Sequence, residues 1–180
     1  MSGTVGDNTA RASGVIASAG GGGKVLQVLE YSTTGIITRT TASWGAFGSM
    51  EQAITPTGEN SKIKLTIAAG VADSENTGYL RFYYDVDGGG YNVCDPVGAA
   101  SGSRTTCHMY VNAGGNTDDN VGVTILHTPS YSLGNVLTYQ VWSYVTNSLY
   151  PVFFGRQYSD SNTTTKSRTQ SILRVEEIGA

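Results

Sequence analysis

Residues 61–69 alternate between apolar and polar side chains, and this two-residue period constrains the fold more than any other feature of the sequence. Ile63, Leu65 and Ile67 occupy every second position, with lysine and threonine between them. Successive side chains of a β-strand point to opposite faces, whereas an amphipathic helix needs apolar residues three and four positions apart. The segment is therefore predicted to be a half-buried strand.

Segments rich in Val, Ile, Thr and Tyr recur along the chain at spacings of roughly 10–15 residues. Predicted strands cover residues 25–30, 36–41, 61–69, 79–86, 91–94, 105–111, 121–126, 136–146, 152–157 and 168–178. Residues 45–50 are predicted to interrupt this pattern, and residues 53–58 to be a strand end entering a turn. About eight to ten strands without helical periodicity predict an all-β, antiparallel sandwich or barrel. A jelly-roll-like β-sandwich fits the strand number and the long loops best.

The composition favours a scaffold or a binding protein. The 180 residues suit one domain, and 39% of them are hydrophobic, too many for a disordered chain. Only 14% are charged and the net charge is −3, which argues against binding nucleic acid through bulk positive charge. No run of about 18 apolar residues occurs, so no membrane span is predicted.

Residues 1–23 are predicted to be an extended N-terminal arm and a glycine hinge, followed by a β-sandwich domain over residues 24–180. Residues 20–23 are consecutive glycines, which make a flexible connection. The stretch before them is either a disordered tail or an arm that becomes ordered on a partner. The candidate anchoring residues are Val5, Arg11, Val15 and Ile16. No apolar segment of a secretory signal is present, so we expect a protein made in a cytoplasm and not exported by the general route.

An Asp-Gly sequence follows the strand predicted at residues 79–86. Asp87, Gly88 and Gly89 are predicted to form the exposed tip of a β-hairpin, because Asp-Gly after a strand favours a tight turn. The order Asp-x-Asp-Gly also begins calcium-binding loops, but the twelfth position of such a loop would be Pro96 instead of Glu. No metal site is therefore predicted at this turn.

Cys94 and Cys107 flank a loop rich in Gly, Ala and Ser, on strands that are predicted to be adjacent. A disulfide closing this loop would stabilise the fold by roughly 3 kcal/mol. The alternative is a pair of reduced, partly buried thiols, as expected in a cytoplasm. With His108 and His127 the cysteines match no zinc-site spacing, so no metal is predicted.

No combination of residues predicts an enzyme or a bound cofactor. Asp118 and Asp119 lie in a predicted polar turn without an apolar wall to raise a carboxyl pKa. Glu176 and Glu177 lie in the last predicted strand, where one side chain points outward. The two histidines accompany no nucleophile motif, and residues 45–49 lack the lysine of a phosphate-binding loop.

Tyrosine is unusually frequent, with 11 residues in the chain, many of them in predicted strands. The strand tyrosines are Tyr79, Tyr83, Tyr84, Tyr139 and Tyr144. One interpretation is packing in the core and between subunits, with the hydroxyl at the rim. The other is a surface that stacks against sugars. Packing is the preferred interpretation.

Four segments, in this order, resemble a known module. They are GKVLQV at residues 23–28, AITPTGENSKI at 53–63, LTYQV at 137–141 and SILRVEEI at 171–178. The chain from residue 23 to residue 178 resembles the C-terminal β-sandwich module of structural proteins of tailed-phage virions. The resemblance implies a place on the virion surface, usually as a homotrimer, and brings no catalytic residues with it.

Three functions remain as hypotheses. The preferred one is a trimeric capsid decoration, or cement, protein that is held on the head exterior by residues 1–19 and stabilises the capsid. Its expected partners are other copies of itself and the major capsid protein or another virion protein, in a virion assembled in the host cytoplasm. The alternative is a small tail or head fibre tip that binds a host receptor, although no shaft is recognised in the sequence. A glycan-cleaving enzyme is the third, because β-sandwiches host such activities.

Overall fold

The computed structural model describes residues 23–73, 77–112, 118–149 and 151–180, and every helix or strand in these ranges is a β-strand. The strands are β1 (Val25–Thr33), β2 (Ile37–Arg39), β3 (Gly45–Ile54), β4 (Lys62–Asp73), β5 (Thr77–Val86), β6 (Asn92–Val93), β7 (Met109–Asn112), β8 (Asp118–His127), β9 (Leu137–Val145), β10 (Val152–Phe154) and β11 (Ser171–Ile178). The all-β prediction is confirmed. Residues 1–22, and with them Val5, Arg11, Val15 and Ile16, lie outside the described residues.

Two antiparallel sheets make up the domain. Sheet A has the order β1-β11-β4-β8. The short strand β10 continues the position of β11 beside β4, and the short strand β2 continues the position of β1 beside β10. Sheet B has the order β3-β9-β5, with β6 and β7 following one another along the free edge of β5. This order is the winding of a jelly roll. The prediction of a jelly-roll-like β-sandwich is therefore confirmed.

The hydrophobic core lies between the two sheets. Ile63, Leu65 and Ile67 of β4 are each fully buried, as the alternation of residues 61–69 predicts. The other fully buried large side chains are Phe47, Met50, Ile54, Leu80, Phe82, Leu137, Tyr139, Phe154 and Leu173. The rings of Phe47 and Phe154, from opposite sheets, meet edge to face at a centroid distance of 3.9 Å. The inward faces of both sheets thus supply one continuous core.

The prediction that residues 45–50 break the strand pattern is wrong, because β3 runs through them. The pairing of β3 with β9 shifts register between Ala46 and Glu51, which marks a β-bulge. Gly48 has a positive φ of 58°, and Phe47 and Met50, three positions apart, are both buried. The bulge removes the two-residue period on which the prediction relied.

Several predicted boundaries are also corrected. The strand predicted at residues 105–111 begins only at Met109, and the strand predicted at 121–126 begins already at Asp118. The latter correction places Asp118 and Asp119 in a strand, where Asp119 pairs with Val71, instead of in a polar turn. Within the described residues there are eleven strands, one more than the upper prediction, because β3 was not predicted as a strand.

The two termini of the described domain lie at one end of the sandwich, which we call the proximal end. The Gly179 N–H donates to Lys24 O at 2.8 Å, beside the last pair of β1 and β11. Pairing of Leu137 with both Ile54 and Val86 brings the hairpin tip that follows Val86 to the same end. The opposite, distal end carries the turns around residues 40–44 and 146–149. Gly23, the first described residue, therefore lies at the end that also carries the hairpin tip.

Candidate functional site

The predicted hairpin tip is formed by β5, β6 and the turn between them, and Asp87, Gly88 and Gly89 are exposed. Asp85, unlike Asp87, is buried and accepts hydrogen bonds from the N–H groups of Gly88 and Gly90. Asp87 accepts a hydrogen bond from Asn135 Nδ2 at 2.5 Å. Its other carboxylate oxygen accepts from the backbone N–H of Val136. Both carboxylates therefore organise the turn and its contact with the loop before β9.

Both cysteines are free thiols in the structure, which agrees with the reduced alternative. Cys94 is buried in the core and Cys107 is partly exposed, and burial raises the pKa of each thiol. His108 accepts a hydrogen bond from Phe82 N–H at Nδ1 (3.1 Å) and donates from Nε2 to Cys94 O (3.0 Å). Its ring therefore joins β5 to the loop that precedes β7.

His127 is the other histidine, and it lies 3.1 Å from the Tyr139 hydroxyl in the core. Burial lowers the pKa of His127 to about 4, so its ring is neutral at physiological pH. No cluster of three or more His, Cys, Asp or Glu residues that could hold a metal ion occurs among the described residues.

Glu176 and Glu177 point to opposite faces of sheet A. Glu176 lies on the outer face and forms a 2.6 Å ion pair with Lys64, whereas Glu177 is fully buried. This is the arrangement expected when one of two adjacent strand residues points outward. The two carboxylates cannot act together on one substrate.

The strand tyrosines divide between the two sides of sheet B. Tyr84 and Tyr139 face inward and pack in or against the core. Tyr79, Tyr83 and Tyr144 alternate with core residues and therefore lie on the outer face. The packing interpretation thus applies to the first two and also to Tyr83, which is only 7% exposed and is covered by Trp142, while Tyr79 and Tyr144 belong to a surface.

Four aromatic side chains form a row across the distal half of this outer face. Tyr110 of β7 pairs with Tyr79 of β5, Tyr79 pairs with Tyr144 of β9, and Trp44 follows beside Tyr144 just before β3. The ring centroids are 5.7 Å apart for Tyr79 and Tyr144 and again 5.7 Å for Tyr144 and Trp44. Tyr110 at the end of the row is 67% exposed. The row spans about three strand spacings, roughly 14 Å.

A second aromatic group adjoins the row on its proximal side. Trp142 stacks on Tyr83 at a centroid distance of 4.2 Å and lies 5.9 Å from Tyr91. Trp142 Nε1 donates to Gln140 Oε1 at 2.6 Å, and Glu51 accepts from the Tyr91 hydroxyl at 2.6 Å and from Gln140 Nε2. We call the row and this group together the aromatic face. Both tryptophans of the chain lie on it.

Arg81 is the cation at the centre of the aromatic face. Its guanidinium carbon lies 4.1 Å from the centroid of the Trp44 ring, and Arg81 pairs with Trp142 across β5 and β9. Nε donates to Thr106 O at 2.7 Å and Nη2 donates to Thr106 Oγ1. The guanidinium is therefore held on the face by a cation–π contact with Trp44 and by hydrogen bonds to one loop residue, Thr106.

Sequence reasoning located only part of the aromatic face. Alternation along residues 79–83 could have grouped Tyr79, Arg81 and Tyr83 on one side of a strand. Trp44 carries no such signal, because it lies just outside a strand and joins the face only through the pairing of β3 with β9.

A polar cavity of about 170 Å³ lies against the outer face of sheet A, under the segment between β10 and β11. Its lining residues include Gly70, Asp119, Arg156, Gln157 and Thr169. Arg156 is already engaged, over the Phe153 ring at 3.7 Å and with Asp160 at 3.8 Å. Thr169 Oγ1, which also lines the cavity, is buried without a hydrogen-bond partner among the described residues.

The described part of the chain contains no helix long and apolar enough to cross a membrane. No family model and no curated protein matches this chain.

Proposed function

We propose that this chain is a structural protein of a tailed-phage virion that decorates the head exterior as a homotrimer and stabilises the capsid. The resemblance of residues 23–178 to a virion β-sandwich module supports this function, and the jelly roll is a fold compatible with it. Residues 1–19, with Val5, Arg11, Val15 and Ile16, would attach the domain to the major capsid protein or another virion protein. The domain acts as a non-enzymatic display and binding module.

The observation that carries this proposal is the position of the N-terminal connection. Gly23 leaves the sandwich at the proximal end, beside the C-terminal residues Ile178 and Gly179. A domain tethered there directs its distal end away from the attachment point and leaves both outer sheet faces at its sides. That is the geometry which a surface decoration module requires.

The proposed trimer contact follows β1, an edge strand of sheet A. Val25, Leu26 and Val28 are exposed there, at 49%, 39% and 51%. Exposed apolar side chains on a sheet edge favour association with another chain, because covering them removes apolar surface from water. This contact leaves the aromatic face of sheet B open.

A fibre tip that binds a host receptor is the second candidate function, and the aromatic face favours it. Aromatic rings around a single cation form a recognition surface, which capsid stabilisation by itself does not require. In this alternative the same jelly roll would be carried at the end of a fibre.

The number of copies per virion tests the assignment. Quantitative mass spectrometry of purified particles against an isotope-labelled standard would give the ratio of this chain to the major capsid protein. Hundreds of copies per particle are expected for a decoration protein. A few dozen copies or fewer would overturn decoration in favour of the fibre tip, and absence from purified virions would overturn both.

A further inference from the structure

We propose that the aromatic face of sheet B is a binding site for an acidic oligosaccharide, with Arg81 pairing with a sugar carboxylate and the aromatic row stacking on the sugar rings. This inference goes beyond the proposed function. Saccharide binding at this face requires neither the trimer nor the particle, so it can fail or succeed independently of the copy number in virions.

The aromatic row supplies the stacking surface. Sugar rings have apolar C–H faces that pack on aromatic rings, while tyrosine hydroxyls and an indole N–H offer hydrogen bonds at the ring edges. Tyr110, Tyr79, Tyr144 and Trp44 lie side by side on neighbouring strands. A row of roughly 14 Å, three strand spacings, matches several linked sugars better than one.

Arg81 is the group of the aromatic face that would pair with an acidic ligand. Arg81 is the sole lysine or arginine in the described strands of sheet B. No described carboxylate lies within 4.0 Å of it, as is also the case for Arg39 and Arg104, whereas Arg156, Arg168 and Arg174 form ion pairs. The nearby carboxylate of Glu51 is occupied by Tyr91 and Gln140.

The guanidinium of Arg81 also retains donors. It has five N–H groups, of which Nε and Nη2 use one each on Thr106. The two N–H groups of Nη1 and the second N–H of Nη2 have no acceptor among the described residues. One N–H of Nη1 runs parallel to this second N–H of Nη2, and together they fit the two oxygens of a carboxylate, the arrangement that makes such pairs strong and geometrically specific. A uronic acid would place its carboxylate on Arg81, while its neighbouring sugars stack on the aromatic rings of the row.

Tryptophan fluorescence reads this site directly, because Trp44 and Trp142 are the two tryptophans of the chain. The probe is hexagalacturonate, added to the full-length protein, with its fully methyl-esterified form as the uncharged control. We expect a saturable change in tryptophan emission with hexagalacturonate and a much weaker one with the ester. Calorimetry on the same samples should give the same affinity.

Two variants and one control locate the binding. Arg81→Gln and Tyr144→Ala should each weaken hexagalacturonate binding by about tenfold or more. Arg174→Gln is the matched control, because it removes the same charge from the outer face of sheet A and should change affinity by less than about twofold. Thermal unfolding of each variant shows whether the fold is kept. If Arg81→Gln does not fold, the binding affinity of Tyr144→Ala tests the inference instead.

Three outcomes would overturn the inference. One is the absence of any emission change at millimolar hexagalacturonate. Another is equal binding of acid and ester, or equal binding by wild type and Arg81→Gln, which removes the role of the charge. The third is a tryptophan emission that changes with protein concentration in step with the measured molecular mass, because the face would then be covered by a second copy of the chain.

Discussion

Glu177, in the last strand, accepts hydrogen bonds from the backbone N–H of Thr57, 120 residues earlier, at 2.9 and 3.1 Å. The same carboxylate accepts from the N–H of Gly58 at 2.9 Å and from Gln27 Nε2 at 2.7 Å. Burial alone would raise the pKa of Glu177, but the hydrogen bonds from these three residues outweigh it and lower the pKa to about 2. The carboxylate thereby joins β1, β11 and the loop that leads into β4.

Replacing Glu177 should destabilise the fold. Glu177→Gln removes the buried charge and leaves backbone N–H groups facing an amide, at an expected cost of about 2–3 kcal/mol in the free energy of unfolding. Urea unfolding at neutral pH measures this cost. Glu176→Gln on the outer face of the same strand is the matched control and should cost less than about 1 kcal/mol. Equal costs for the two variants would contradict the role of the buried carboxylate.

Acid should destabilise the wild-type protein through the same residue. The pKa of Glu177 is lower in the folded chain than its ordinary value of 4.5, so its contribution is fully present above that value and is lost as the pH falls toward 2. The expected loss is up to about 3 kcal/mol. Unfolding free energies measured between pH 6 and pH 2 should therefore fall less steeply for Glu177→Gln than for wild type.

The bulge in β3 should depend on Gly48. Its φ of 58° is a left-handed conformation, and an added Cβ would lie 3.0 Å from Ile37 Cδ1. Gly48→Ala should therefore destabilise the protein by about 1–2 kcal/mol. Gly122→Ala, in β8, is the control, because the nearest atom to its added Cβ is Ile67 O at 3.5 Å. Thermal or urea unfolding of the two variants separates the effects, and a neutral Gly48→Ala would argue against the bulge.

The β1 edge should determine the oligomeric state. We expect light scattering to give a trimer of about 57 kDa, three times the 18.9 kDa chain. Val28→Asp should dissociate it, because a carboxylate would enter the apolar contact, whereas Ser32→Asp on the same exposed side of β1 should have a smaller effect. A wild-type monomer at micromolar concentration would contradict the trimer, and a trimer unaffected by Val28→Asp would move its interface elsewhere.

Attachment to the particle should depend on the residues before the sandwich. Deleting residues 1–19 should leave the thermal unfolding of the domain nearly unchanged and abolish co-sedimentation with virions that lack the protein. Ile16→Asp should weaken attachment in the same way. Asp87→Ala is a poor control, since Asp87 organises the proximal end through Asn135 and Val136. Leu149→Asp, at a 79% exposed distal position, is the better one. Normal attachment of the truncated protein would place the anchor in the sandwich.

The local sequence pattern was sufficient to predict the fold class and the positions of most strands. The alternation at Ile63, Leu65 and Ile67 follows from the opposite orientation of successive side chains, so it shows in the sequence wherever one face is buried. The Asp-Gly hairpin and the opposite orientations of Glu176 and Glu177 follow from the same local rules. The pattern failed at residues 45–50, where β3 advances five positions from Ala46 to Glu51 against two positions of β9, so the two-residue period is lost.

Which side chains come together in the candidate site depends on how the strands pair in the tertiary structure. Tyr84 and Tyr144 both lie in strands of sheet B, yet one packs against the core and the other lies on the aromatic face, because they occupy opposite positions in the inward–outward alternation of paired strands β5 and β9. Trp44 and Arg81 are 37 positions apart and meet only because β9 lies between β3 and β5. The local sequence pattern was enough to predict an all-β chain with tyrosine-rich strands. Which of those side chains share a surface depended on the order of strands in the sheet, because contacts between distant residues are made by strand pairing, which no local pattern encodes.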